Sequence, residues 1–322
     1  MDARKRWMTL ARAQGGCWQV AAPRPAGDPA DLLARLDTAA GGAPVVFGAD
    51  VPLGLPRAYA AQHVREADFP AFLRALADRP DFFAVAPTLA EIAPHRPFYP
   101  ARGIAGMTRA AHAEALGLGT AAALCRACDR ATAERPAGAP LFWTLGANQS
   151  GKAAIAFWRD LLLPALATPR PPLLWPFAGD LGGLIAPGRS VIAETYPAEA
   201  LRHLGLRLAG SKRRQADRAA LAAPLRAAMA ALRATPDPAL GAALDDGFGG
   251  DPAGEDRFDC LLGLLCVLNV LAGNRPGGIP DDPWLRRWEG WVLGQTALPR
   301  APPPHPRTGA GQAWRHLPRS PA

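Results

Sequence analysis

Apolar residues along this chain recur in two different periods, and the alternation between them predicts an α/β protein. Residues 43–50, APVVFGAD, are a short continuous apolar run closed by an acid and stopped by VPLGLP. A run of this length reads as a strand buried on both faces of a parallel sheet. PLLWPFAGD (172–180) and SVIAETYP (190–197) read the same way, and 140–145 is a further apolar run. Two extended runs, 6–12 and 17–22, flank AQGG and predict an opening hairpin. Helical spacing marks 28–39, with Asp28 as its cap, and then 69–78, 108–132, 152–166, 197–206, 213–233 and 254–273. Strands alternating with helices after a hairpin indicate a mixed sheet flanked by helices. Residues 56–140, broken by the Pro-rich APHRPFYPARG, read as a helical insertion or cap on one domain spanning 1–298.

Composition narrows this picture only a little. At 322 residues the chain can bury a sizeable core. Its longest strongly apolar stretch, LLGLLCVLNVLA at 261–272, falls well short of a bilayer span and reads as a buried helix. The first residues, MDARKRWMTLARAQ, hold no apolar signal core, so a cytoplasmic protein with no membrane attachment is expected. Half of the net charge of +8 sits in 299–322, a Pro-rich tail with four arginines and no acid that is expected to be disordered. The remaining body is mildly basic, which permits nucleic acid as a partner without requiring it. Cys125 and Cys128 form a lone C-x-x-C with no second pair of ligands near by, so small apolar helix residues in a reducing compartment are expected there rather than zinc.

Candidate chemistry begins with LFWTLGANQSGKAAIAF (141–157), in which Gly146 to Ala153 approach the phosphate-loop pattern G-x-x-x-x-G-K-[ST]. Ala153 stands where that loop needs a hydroxyl for magnesium, so a nucleotide hydrolase using Gly146–Lys152 is a weak alternative. A glycine-bearing turn that starts a helix is the plainer reading.

The carboxylates say more. Asp50 follows VVFGA and Glu194 follows SVIA, so each acid closes an apolar strand at the edge where open α/β sheets place their sites. Asp256 and Asp259, in EDRFDCLLGLL, share one helix face a turn before an apolar segment. Acids gathered from two strand ends and a late helix suit a hard divalent cation, Mg²⁺ or Mn²⁺, and phosphodiester hydrolysis. Lys212 and Arg213, after a Gly-Ser, and Lys152 are candidates for contacts to substrate phosphate. His203 is expected on a helix surface, and Glu289 as a packing or hydrogen-bonding residue in WEGWVLG.

Taken together, FGADVPLGLP (47–56), LGANQSGKAAI (145–155), WPF (175–177), AETYPAEALRHLG (193–205), SKRRQADRAAL (211–221), EDRFDCLLGLL (255–265) and EGWVLGQ (289–295) resemble an uncharacterised family of predicted nucleases with an RNase H-like fold. The resemblance covers most of 6–295. It implies a five-stranded mixed core with acids at one end: Asp50, Glu194 and Asp259 as metal ligands, with Asp256 as a fourth acid. It also implies a glycine turn at 146–151 that is no ATP site. One departure stands out. The family places its first essential Asp on the first core strand, and here that position falls near Arg12, or on a strand upstream of Met1. Loss of that ligand would impair a nuclease, so a non-catalytic relative binding nucleic acid or a protein partner is the chief alternative.

Overall fold

The computed structural model describes residues 6–103, 105–146 and 150–300. The chain opens with β1 (Trp7–Met8), β2 (Ala11–Gln14), β3 (Cys17–Val20) and β4 (Arg24–Pro25). β2 and β3 form the expected hairpin, turned by Gly15 and Gly16, both with positive φ (58° and 75°). Two successive residues at positive φ match the right-handed twist of the flanking strands. β1 does not join that hairpin; it pairs with β4.

α1 (Leu32–Ala40) and β5 (Val45–Ala49) follow, and then α2 (Arg57–His63), α3 (Phe69–Ala75) and α4 (Arg109–Ala115). α1 starts three residues later than the Asp28 cap predicts, with Asp31 at its N-cap. The helix expected over 108–132 stops at Ala115, because Gly117 and Gly119 take positive φ (70° and 77°); short 3₁₀ turns carry the rest. The apolar run at 140–145 forms no strand, and only Trp143 bridges to Tyr99.

α5 (Ser150–Phe157) runs through a π-helical segment, Trp158–Leu162, into α6 (Leu163–Leu166). β6 (Leu173–Leu174), α7 (Leu181–Leu184), β7 (Ser190–Glu194), α8 (Pro197–His203), α9 (Gln215–Ala219) and α10 (Ala222–Ala231) come next. The chain then adds β8 (Ala234–Pro236), α11 (Pro238–Asp245) and the long α12 (Gly254–Leu271). The single helix expected over 213–233 is therefore two, and β8 and α11 are additions to the expected elements.

The fold is mixed α/β built on small sheets. β5, β7 and β6 form one parallel sheet in the order β5-β7-β6, and β2, β3 and β8 form a mixed sheet in which β2 is antiparallel and β8 parallel to β3. Among the described residues these do not merge into a single five-stranded sheet. Strand alternation divides the core in two. Val45, Phe47, Ile192 and Leu174 pack with the 53–166 region, whereas Val46, Val191, Ala193 and Leu173 pack against α8, α10 and α12. α12 lies close on the second face. A Cβ on Gly48 would come within 2.8 Å of Val267 Cγ2 and 2.9 Å of Thr195 Cγ2, so glycine there sets the helix-to-sheet spacing. No helix is long and apolar enough to cross a membrane among the described residues.

Candidate functional site

The register pairs Ala49 with Glu194. Asp50 therefore shares the parity of Val46 and Gly48 and stands on the α12 face, while Glu194 shares the parity of Ile192 and stands on the opposite face. The two strand-end acids are neighbours along the sheet edge but have different partners.

On the α12 face, Asp50 meets Asp259, Asp256 and Lys212. Lys212 Nζ donates to both oxygens of Asp259, at 2.7 and 2.6 Å. Asp50 itself has no hydrogen bond or ion pair through its carboxylate among the described residues. The residue is exposed to solvent, yet protein atoms crowd around its carboxyl. That crowding and the charge of Asp259 push its pKa up to about 7, against a downward pull from Lys212 and further lifts from Glu194 and Asp256. Asp259 is pushed up to about 6, by burial first, with Lys212 opposing and Glu255 and Asp256 adding. Two raised carboxyls beside one ammonium are the mark of a site short of positive charge.

Lys212 is held in place from behind. The fully buried guanidinium of Arg218 donates to the carbonyls of Lys212, Gly247 (2.8 Å) and Gly249 (2.6 Å), tying the 211–214 turn to the glycine loop before α12. Nothing in the sequence singled out Arg218 from its many arginine neighbours. Arg213 faces solvent, its Nε 3.9 Å from Glu255, a geometry that contributes little.

On the other face Glu194 is enclosed. Arg126 Nη1 and Nη2 donate to its two oxygens at 2.6 and 2.7 Å, and the Leu53 N–H adds a third bond at 2.7 Å. Burial pushes the Glu194 carboxyl above the ordinary carboxylate range, with Arg126 and the Leu53 N–H pulling against it. Arg126 also donates to both oxygens of Asp129, at 3.0 and 2.9 Å. Cys128, Asp129 and Glu194 each offer one ligand atom within 4.8 Å of one another, a set that could hold a metal ion. The guanidinium of Arg126 already lies between the two carboxylates, so a metal there would have to displace it. Cys128 is buried and its thiol is pushed well up by burial, which disfavours the thiolate a metal needs.

A second buried pair reinforces this junction. Arg135 binds Glu199, which also lies 2.8 Å from Arg202 and 3.4 Å from His203. Burial would raise the Glu199 carboxyl, but the adjacent His203, Arg202 and Arg135 side chains outweigh it and hold the pKa at about 2. The His203 side chain is thus buried, not on a helix surface, because its ring turns inward onto Glu199. Glu289 joins the same region by accepting the N–H groups of Arg57 and Ala127, each at 3.2 Å. Two arginines from 126–135 thus grip two glutamates at the end of β7 and the start of α8.

The phosphate-loop segment resolves simply. Residues 147–149 lie outside the described residues; Gly146 has φ 98° and α5 starts at Ser150. A Cβ on Gly151 would meet the carbonyls of Trp143 and Leu141 at 2.8 and 2.9 Å, so this glycine serves close packing. Lys152 pairs with none of the described acids. No protein-family model, curated protein or solved structure matches the chain.

Proposed function

We propose that this protein is a divalent-metal-dependent hydrolase of phosphodiester bonds in nucleic acid, with its ion held by Asp50 and Asp259 at the open end of β5. The observation that carries this reading is Asp50, a crowded and solvent-reached carboxylate without a described partner, set beside Asp259. The donor set fits a hard cation: carboxylate oxygens, one of them free to turn toward an ion. Glu194 fits less well, since Arg126 and Leu53 occupy both of its oxygens. This departs from the ligand set that the RNase H-like resemblance implies.

When bound, a Mg²⁺ or Mn²⁺ ion would lower the pKa of a water and offset charge on a phosphate. The chain's own residues supply the rest. Asp50 and Asp259 draw positive charge to the sheet edge. Lys212, a mobile point charge on a long stem, can transfer from Asp259 to a phosphate oxygen once another cation neutralises that acid. Arg218 fixes the backbone from which Lys212 reaches.

The test is hydrolysis of end-labelled single- and double-stranded DNA and RNA with Mn²⁺ or Mg²⁺, comparing wild type with Asp50→Asn and Asp259→Asn. Metal-dependent cleavage that both substitutions abolish supports the reading. Cleavage insensitive to both, or none on any substrate, overturns it. The second reading, a non-catalytic protein, has one observation in its favour: Lys212 already neutralises Asp259 as a built-in counter-ion.

A further inference from the structure

Away from the acid cluster, the opening hairpin carries a groove of about 430 Å³ lined by Leu10, Arg12, Gln19, Ala21, Arg24 and Asp237 among others. Its walls are mainly apolar, and its charged groups are two arginines and one acid, Asp237. Both are exposed, and neither guanidinium has an ion pair or hydrogen bond with any described residue. Other arginines of this chain, Arg126 and Arg218 among them, are instead tied to a carboxylate or a carbonyl. The one acid of the groove is engaged: Asp237 Oδ1 caps α11 by accepting the Leu240 N–H at 2.6 Å. A third arginine, Arg233, extends the basic edge, with its guanidinium 3.5 Å from the position a Cβ on Gly16 would take in the hairpin turn.

The groove is joined to the acid cluster by the chain itself. Thr9, one residue before Leu10, places its backbone N–H against the thiol of Cys260, which neighbours Asp259 and feels the charges of Asp259 and Asp50. Thr9 Oγ1 in turn bonds the carbonyl of Ala21, and the Ala21 N–H bonds the carbonyl of Leu10, which fixes both walls of the groove to that point. Through Thr9 and Leu10 the chain thus leads directly from the surroundings of Asp259 to the groove that carries Arg12 and Arg24.

We infer that this groove binds the phosphate backbone of the substrate strand beside the scissile bond, with Arg12 and Arg24 each holding a phosphate. The inference rests on the nuclease reading for its occupant. Phosphate recognition suits it better than an acidic protein segment, because the arginines stand in a shallow trough with few side chains able to grip a partner's side chains. Arginine forks match phosphate oxygens, and such contacts set affinity and register without reading sequence.

The test measures binding of a fluorescein-labelled single-stranded oligonucleotide by anisotropy in EDTA, where no cleavage occurs, for wild type, Arg12→Ala/Arg24→Ala and the exposed control Arg170→Ala. Hydrolysis of bis(p-nitrophenyl) phosphate with Mn²⁺, which is too small to reach the groove, is measured alongside. The expected result is a loss of about tenfold or more in affinity for the double variant. Its salt slope should fall by roughly 0.7 for each phosphate that an arginine no longer neutralises. Arg170→Ala should bind like wild type, and small-substrate hydrolysis should be unchanged. Equal affinity and slope in the double variant overturn the groove, as does an equal loss in Arg170→Ala, or no binding by wild type. The two readings separate cleanly. Weakened binding by the double variant, with no hydrolysis by any form, keeps the groove and removes the nuclease. Hydrolysis with unaltered oligonucleotide binding does the reverse.

Discussion

Arg126→Ala is a substitution for which the structure predicts a large loss. The side chain is fully buried and makes paired hydrogen bonds to both Glu194 and Asp129. Its removal leaves Glu194, with 7% of its side chain exposed, facing only the Leu53 N–H. Breaking a buried pair from one side strands a charge and costs about 3–5 kcal/mol. At about 2 °C per kcal/mol for a chain of this size, the melting temperature should fall by roughly 6–10 °C. The loss also has a pH signature. Arg126 is the group that opposes burial at Glu194. The Glu194 pKa is already raised by burial and rises further without Arg126, so ionisation costs the variant more stability as pH rises and the deficit is smallest in acid. Arg126→Met combined with Glu194→Leu strands no charge on Glu194 and should recover much of the loss. Urea and thermal unfolding followed by circular dichroism across pH measure all of this. A deficit under about 1 kcal/mol, or one that grows toward acid, refutes the argument.

Other expectations follow from the same geometry. Asp50 has its folded pKa raised from 3.8 to about 7, so its ionisation disfavours the folded state. Asp50→Asn should therefore melt higher than wild type above neutral pH and match it below about 4, as a melting-temperature series against pH will show. Gly54, at φ 138°, lies where a Cβ would overlap the Glu289 carbonyl. Gly54→Ala should cost at least about 1–3 kcal/mol, read as a lower melting temperature and poor soluble yield. ATP should leave the melting temperatures of wild type and Lys152→Ala unshifted; an ATP-dependent rise lost in the variant would restore the phosphate-loop reading.

The sequence pattern marked some parts of this molecule well and others poorly, for reasons that differ by element. β5, β7 and α12 were legible because each is a dense apolar run bounded by an acid or a glycine turn, and such runs have few other places to go. That Asp50 and Glu194 stand on opposite faces was not legible. It depends on the Ala49–Glu194 register, and a shift of one residue would reverse it. Arg126 was missed because its partner lies 68 residues away and arginine is common throughout the chain. Arg218 was missed for the same reason, since its partners are carbonyls, which leave no mark in a sequence. α11 did carry a signal, Asp237 at the N-cap followed by Pro238, that the longer helical period just before it obscured. The helix expected across 108–132 failed because Gly117 and Gly119 carry more weight than an alanine-rich composition.

The central claim is that a divalent ion is held between Asp50 and Asp259, with Lys212 as the cation that gives way. Isothermal titration of Mn²⁺ into wild type, Asp50→Asn and Lys212→Met tests it directly. The account predicts saturable binding by wild type, its loss in Asp50→Asn, and tighter binding in Lys212→Met, where the competing ammonium is gone. Binding unchanged by Asp50→Asn, or no binding by a well-folded Lys212→Met, would contradict it.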